Sequence, residues 1–325
     1  MVAISLQIEG QMGLTWPLWK QLVAAADRLG FAGLFRSDHF TGSRPPDHDS
    51  LETIVSLAYA ADHTERIHFG PLVAPLSFRH PVHLARQAAA LDDLSDGRMV
   101  LSLGAGWQAR EHTLFGFDLG DVPERMARFA EGLEVVTRLL RSDEPVTFEG
   151  RFYHLREARL LPRPKRPGGP RILIGGTGPK RTLPLVARYA DIWNALNLTP
   201  HQFRETSALL DERMRQIGRE GTIRRTMMIP IFFGRTMEEL ELRLSSDEKR
   251  SSAIVRGMTG PNLPFTAVLE RLVARNDVLV GTPDMIADQI RQFGEAGVEE
   301  LMLQWFDLDD LDGLRGFAES VFPLV

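Results

Sequence analysis

The sequence predicts an α/β chain closed into a single (β/α)8 barrel, with an insertion after the seventh strand at about 236–277. Three observations predict it. Short β-rich runs alternate with longer amphipathic segments, the pattern of a parallel sheet wrapped in helices. The alternation repeats eight times within 325 residues, a length at which α/β barrels commonly form one domain. An open dinucleotide-binding sheet usually carries Gly-x-Gly-x-x-Gly after its first strand, and Glu9-Gly10-Gln11-Met12-Gly13 does not match it.

The first strand is Ala3–Ile8. A helix from about Pro17 to Leu29 follows, with Pro17 in its first turn and Gly30 at its C-terminal stop. Ala32–Arg36 is the second strand, followed by a helix near Ser50–Asp62. Ile67–Val73 is the third strand, and the next helix starts near Pro81, carrying Ala85, Ala88 and Leu91 at helical spacing. The fourth strand, Arg98–Leu103, runs straight into Gly104-Ala105-Gly106. A long helix occupies roughly Val122–Arg141, and Val146–Leu155 reads as a hairpin turning at Glu149-Gly150. A Pro-rich connection leads to the fifth strand, Arg171–Gly175, then a helix near Lys180–Arg188. Strand Ile192–Ala195, helix Pro200–Ile217 and strand Thr226–Phe233 follow. Thr236–Asp277, with its polar stretches SSDEKRSS and RGMTGPNLP, reads as the insertion and a candidate mobile lid. Gly281-Thr282-Pro283 starts a helix to Ala296, Leu301–Trp305 is the eighth strand, and Leu311–Phe322 closes the ring.

Composition narrows the function. With no cysteine, the chain excludes disulfides, zinc–thiolate sites, iron–sulfur clusters and thiol nucleophiles. Net charge is −5 with both signs interspersed, so no basic run marks a nucleic-acid partner. The opening MVAISLQIEG lacks the charged and long apolar parts of a secretion signal, and no segment nears the ~20 apolar residues of a membrane span. These features predict a cytoplasmic protein without nucleic-acid or membrane partners.

A barrel also says where chemistry belongs, at the C-terminal ends of its strands. After strand two stand Asp38 and His39; histidine titrates near neutrality and suits proton transfer, although an isolated His equally serves as a loop cap. After strand four, the turn Gly104-Ala105-Gly106 leaves room for a planar ligand on which Trp107 stacks, or serves simple packing. After strand five, Gly175-Gly176-Thr177-Gly178-Pro179-Lys180-Arg181 is a glycine-rich strand-to-helix turn. Its amides, the Thr177 hydroxyl and Lys180 suit a phosphate; the competing reading is a tight turn and no more. His80 and His83 find no third ligand at a familiar metal spacing, so no metal is assigned.

Five segments occur in order: GFAGLFRSDHF, FGPLVAPLSFRHPVHLARQAAALDDLSDGR, LSLGAGWQAREHTLFGF, PVTFEGRFY and ILIGGTGPKRTLPLVARYADIWN. Together they resemble the bacterial luciferase-like family, and within it the coenzyme F420-dependent branch. The resemblance runs from about Ser5 to Asn194 and resumes at Val280–Leu314. It implies a barrel with an insertion after strand seven, frequently a homodimer, with a cofactor lying across the mouth and its phosphate near Gly175–Gly178. It implies further that His39 lies near the reactive ring carbon, with Asp38 as its neighbour or orienter. Several members carry a cis peptide bulge at the end of strand three that props the cofactor ring; the matching stretch here is Gly70-Pro71-Leu72-Val73, which implies a non-standard peptide within it and Pro71, Leu72 and Ala74 as cofactor contacts. Pro71 departs from that pattern and directs the unusual bond to Gly70-Pro71 or Pro71-Leu72. Sugar-phosphate-oxidising members carry a glutamate after strand four where this chain has Trp107 and Gln108, which favours a less charged substrate. The expected activity is hydride transfer between F420 and a small organic molecule. The alternatives are an FMN-dependent monooxygenase of the same family and a non-catalytic flavin-binding protein. Gln7, Glu9, Trp16, Trp193 and the insertion are expected to floor the pocket.

Overall fold

The computed structural model describes residues 1–245 and 263–325. The polar stretches of the expected lid fall almost entirely between them, outside the described residues. The strands are β1 (Ala3–Ile8), β2 (Gly33–Arg36), β3 (His68–Pro71), β4 (Ala74–Pro75), β5 (Val100–Gly104), β6 (Val146–Glu149), β7 (His154–Ala158), β8 (Arg171–Gly175), β9 (Ile192–Leu196), β10 (Arg224–Phe233), β11 (Leu279–Gly281) and β12 (Glu300–Trp305). The helices are α1 (Trp16–Leu29), α2 (Thr53–Asp62), α3 (Pro81–Leu94), α4 (Ala109–Phe115), α5 (Val122–Arg141), α6 (Thr182–Tyr189), α7 (Pro200–Gln216), α8 (Met237–Ser245), α9 (Phe265–Arg275), α10 (Pro283–Glu295) and α11 (Leu311–Val321).

Parallel pairing runs β3-β2-β1-β12-β10-β9-β8-β5-β4. β3 and β4 are two halves of one interrupted strand. A parallel bridge between Phe69 and Met99 joins β3 to the residues leading into β5, and the ring closes there. The expected (β/α)8 barrel is therefore the architecture found. Its eight strand positions agree with the sequence reading to within a few residues at each end, apart from the interruption of the third.

Period-two alternation sorts each strand into two faces. One side chain set, with Phe35, Leu72, Val100, Leu173, Ile192 and Met302, packs inside the barrel. The other set faces the helices, where Leu6, Leu101, Ile174 and Leu303 belong to one apolar cluster with Trp19 and Phe317. Each such side chain that leaves water contributes about 1.5–3 kcal/mol. The helices begin and end where their sequences dictate. Pro17 stands in the first turn of α1, and Gly30 closes it in the left-handed region at φ +90°. A reciprocal capping box between Thr199 and Gln202 starts α7.

Beyond β10 the insertion is anchored by its own apolar cluster. Leu240 and Leu244 of α8, Val268 and Leu272 of α9, and Val280 pack on Phe232. The short strand β11, unforeseen in the sequence, pairs with the last three residues of β10. Among the described residues no helix is long and apolar enough to cross a membrane.

The non-standard peptide expected within Gly70–Val73 is present, but at a different bond from the two the sequence singles out. Leu72–Val73 is the cis bond there, and neither Gly70–Pro71 nor Pro71–Leu72 is. Pro71 still pairs with Arg36, and the Leu72 amide donates to the Arg36 carbonyl at 2.7 Å. The chain thus follows β2 through Leu72 and only then crosses to β5, where Ala74 and Pro75 pair with Leu103 and Gly104.

Gly70 makes the closing seam possible. A Cβ there would lie 2.1 Å from the Val100 carbonyl oxygen, a backbone atom that cannot swing aside. Gly70→Ala should therefore cost about 1–3 kcal/mol, the range for forced overpacking, read as a lower urea midpoint with unchanged m-value. An unchanged midpoint would refute the tight seam.

Candidate active site

His39 emerges from the C-terminal end of β2 and is held there from across the mouth. Its Nδ1 lies 2.9 Å and 3.1 Å from the two carboxylate oxygens of Glu111. A carboxylate accepts only, so Nδ1 carries the proton and Nε2 is left to exchange one. The Glu111 side chain is 1% exposed and that of His39 17%, so this pair works at low dielectric. Burial pulls the imidazole pKa down. The hydrogen bond and charge of Glu111, aided by Glu9 and Asp38, outweigh it and raise His39 above the ordinary histidine value.

Glu111 belongs to α4, a helix the sequence reading did not place, and it is the candidate site residue that reading missed. Its signals are slight: an acidic residue in the first turn and Gly116 in the left-handed region at the end of seven residues. That first turn is tied to the loop after β2 along its length. Gln108 Nε2 donates to the Thr41 carbonyl at 2.8 Å, and the Phe40 amide donates to Glu111 at 3.2 Å. Arg110 grips Asp47 with two bonds of 2.6 and 2.7 Å. His112 bonds Ser77 in the loop before α3 at 2.8 Å.

Asp38 does not orient His39. Its carboxylate takes Arg79 Nη2 at 2.7 Å and Arg79 Nε as well. Arg79 also reaches Glu52 at 2.7 Å, and Glu52 caps α2 through the Val55 amide. Burial would lower the Arg79 guanidinium, but these two carboxylates raise it above its ordinary value. Beneath them Arg36, wholly buried, bonds Ser56 at 2.9 Å, and burial brings its pKa down to about 10. Asp38 is thus one member of a charge network that fixes the base of the β2 loop.

Of the two uses expected for the glycines after strand four, packing is the one seen. A Cβ on Gly104 would fall 2.4 Å from Val73 Cγ2, and one on Gly106 would fall 2.2 Å from Ser77 Oγ. They make room for Val73 and Ser77. Val73 also lies against Gly175, whose added Cβ would come within 3.2 Å of Val73 Cγ1. This side chain forms a part-buried ledge on the interior cluster. Leu72 lies in that cluster, whereas Ala74 belongs to the packing between strands and helices and turns away from the mouth. Pro71 is buried in the barrel wall. Trp107 is 63% exposed and stands edge-on to His39, ring centroids 5.6 Å apart.

The glycine-rich turn after β8 leads into α6. The Gly176 amide, one of the expected phosphate donors, is committed to the Asn194 carbonyl at 2.9 Å. The amides of Thr177, Gly178, Lys180 and Arg181 have no protein partner among the described residues, and α6 has no side-chain cap. Gly176 adopts φ +119°, open to glycine alone in practice. Free amides, a hydroxyl and an exposed Lys180 at a helix start fit a phosphate group. Trp193 is not part of the pocket floor: it is fully buried, stacks on Phe203 at 5.2 Å and bonds the Gly176 carbonyl. Glu9, at the C-terminal end of β1, holds Gln304 at 2.5 Å and Gln11 at 2.7 Å. Beside it Gln7 Oε1 is buried and unpartnered.

A carboxylate-held histidine at one strand end and a glycine-rich turn with free amides at another fit a barrel that holds a phosphate-bearing ligand. A family model described as luciferase-like monooxygenase matches residues 7–300, and the chain belongs to that family. It is 27% identical over 319 residues to an F420-dependent glucose-6-phosphate dehydrogenase of Amycolatopsis mediterranei, covering 92% of this chain and 91% of that protein. It is 26% identical over 340 residues to the 4-hydroxyprotoasukamycin monooxygenase of Streptomyces nodosus subsp. asukaensis, covering 94% and 86%. The fold matches that of an F420-dependent secondary alcohol dehydrogenase in complex with an F420-acetone adduct. That match has a TM-score of 0.81 at 22% identity and covers 100% of this chain and 99% of the other.

The electrostatic assignment is checked without any substrate. Glu111→Gln keeps an acceptor but removes the charge that raises His39, so the His39 pKa followed by NMR titration should fall. A pKa that stays or rises would show that Glu111 does not set it.

Proposed function

We propose that this chain is an F420-dependent oxidoreductase moving a hydride between the deazaflavin and a small organic substrate, with His39 handling the proton. The observation that carries the reading is the buried Glu111–His39 pair at a barrel-strand end. It supplies a proton donor and acceptor of fixed tautomer where the resemblance places the reactive ring. The free amides of Thr177 and Gly178, with Lys180, would hold the cofactor phosphate, and Val73 with Leu72 would support the ring. When bound, the cofactor supplies the hydride acceptor or donor.

The residues of the chain do the rest. In the oxidising direction His39 Nε2 takes the hydroxyl proton of the substrate as hydride leaves its carbon; in the reducing direction His39 returns that proton to the carbonyl oxygen. Glu111 stabilises the imidazolium formed in between. Trp107 walls His39 from solvent on one side. His39 is charged below its raised pKa and neutral above it. Carbonyl reduction, which needs its proton, should therefore slow as pH rises through that value, while alcohol oxidation should quicken. A homodimer, as the resemblance implies, is part of the same reading and is checked by sedimentation.

Fluorescence titration of the purified protein with F420 and with FMN tests the cofactor. F420 should bind more tightly; binding of FMN alone would replace this reading with the flavin monooxygenase. Gly176→Val should weaken F420 binding, because the residue leaves its left-handed conformation and drags the neighbouring amides with it. His39→Ala should bind F420 like the parent and lose about 10²–10⁴-fold in single-turnover rate, the usual share of general acid–base catalysis. Lost affinity with normal reaction of the bound fraction would make His39 a binding residue instead.

A further inference from the structure

We propose that the N-terminal end of the barrel, opposite the mouth, holds a second binding site, which takes a phosphate or phosphate monoester between Arg171 and Arg224.

A cleft of about 740 Å³ opens there, and Arg171, Asp191, Arg224 and Glu299 supply the charges along it. Small-molecule sites span ~300–1,000 Å³, so the cleft is of a size to hold one. The strand register says which way the two arginines point. Arg171 opens β8 opposite Val100, and Arg224 opens β10 opposite Ile192. Paired residues of parallel strands share a face, and Val100 and Ile192 both lie in the interior cluster. Both arginine side chains therefore start on the interior face, at the opposite end of the strands from His39. His68 opens β3 opposite Gly33, two residues before the interior Phe35 on β2 and its partner Gly70.

Charge at this end is out of balance. Each carboxylate already has a protein partner. Asp191 is held by Arg141 at 2.9 Å and by the Ile172 amide at 2.8 Å. Glu299 accepts from the Arg225 amide at 2.6 Å. Glu300, 6% exposed at the start of β12, takes the Ser5 hydroxyl and Arg224 Nη2, the latter at 3.1 Å. The guanidinium groups are not used up in the same way. The Arg224 side chain stays 31% exposed, and Arg171 has no hydrogen bond or ion pair among the described residues. The two arginines share one neighbourhood, because both act on the same two groups. Burial raises the Glu300 pKa against the pull of Arg224, Ser5 and Arg171. Burial lowers His68, a backbone hydrogen bond at Arg98 opposes it, and the charges of Arg171, Arg224 and Arg166 lower it further. An oxyanion with three or more oxygens would accept the free planar fork of Arg171 and the exposed edge of Arg224, and would cancel the excess positive field.

The test uses the full chain without F420, so its outcome is independent of the oxidoreductase reading. Inorganic phosphate and glycerol 3-phosphate are titrated against sodium chloride of equal ionic strength, with calorimetry reading affinity and NMR reading the His68 titration. An oxyanion at the arginines would neutralise the field on His68, so its pKa should rise saturably. Arg171→Gln should weaken phosphate binding about 10-fold or more, the loss of a charged hydrogen-bonded pair, and should erase most of the His68 response. Arg171→Lys keeps the charge without the fork and should bind more weakly than the parent; it decides the matter if the glutamine variant does not fold. F420 affinity should be unchanged in both, and Gly176→Val should leave the His68 response intact. Tighter binding of glycerol 3-phosphate than of the ion would identify a metabolite's phosphate as the ligand, and equal or weaker binding the free ion. The proposal is overturned by a His68 that does not move with phosphate, moves as much with chloride, or moves equally in the Arg171 variants. A response lost in Gly176→Val would also overturn it, by placing the anion at the turn after β8.

Discussion

The site depends on one contact, the first turn of α4 against the loop that leaves β2. Gln108, Arg110 and Glu111 fall within four consecutive positions, and each reaches back to the segment between His39 and Asp47. A short helix cannot persist alone in water. Here it is stitched to two loops, and in return it fixes the tautomer of His39 and shields the pair from solvent. Removing the Glu111 charge would leave the histidine buried with the desolvation cost and without its compensation.

A second constraint works through small residues. Val73 reaches the barrel interior only because Gly104 and Gly175 present no Cβ to it, and Gly70 lets the seam between β3 and β5 close. The glycines of the mouth are thus tied to one another by a single side chain. The mouth and the closure of the barrel are parts of one packing problem, and changes at either are felt in both.

Much of this was legible in the sequence, for reasons that can be named. The strands show because interior and helix-facing side chains alternate with period two, and Pro17 and Gly30 punctuate α1. His39 and the turn after β8 stand out because a barrel directs attention to strand ends. The partner of His39 was not legible. Glu111 lies 72 residues away in a helix too short for a periodic pattern, whereas Asp38 is adjacent and so appeared the natural orienter. Along a strand, adjacent side chains point to opposite faces, and Asp38 turns away to Arg79. The glycines of Gly104-Ala105-Gly106 were visible, but what fills the space beside them depends on Val73, which only the fold brings near. β11 was hidden because three residues carry no period at all.

The uncapped start of α6 has a thermodynamic consequence. In most helices the first turn is satisfied by a side chain of the same protein. Here the first-turn amides of Thr182 and Leu183 donate to the Gly178 carbonyl, whereas the amides of Thr177 and Gly178, in the turn before the helix, have no protein partner among the described residues; a phosphate held by them would supply one, and its binding energy would also be stabilisation energy. Linkage then ties melting temperature to cofactor concentration, rising by RT ln(1 + [L]/Kd) in stability as the ligand saturates the protein. A cofactor held at this turn would make its supply a determinant of how long the folded protein lasts.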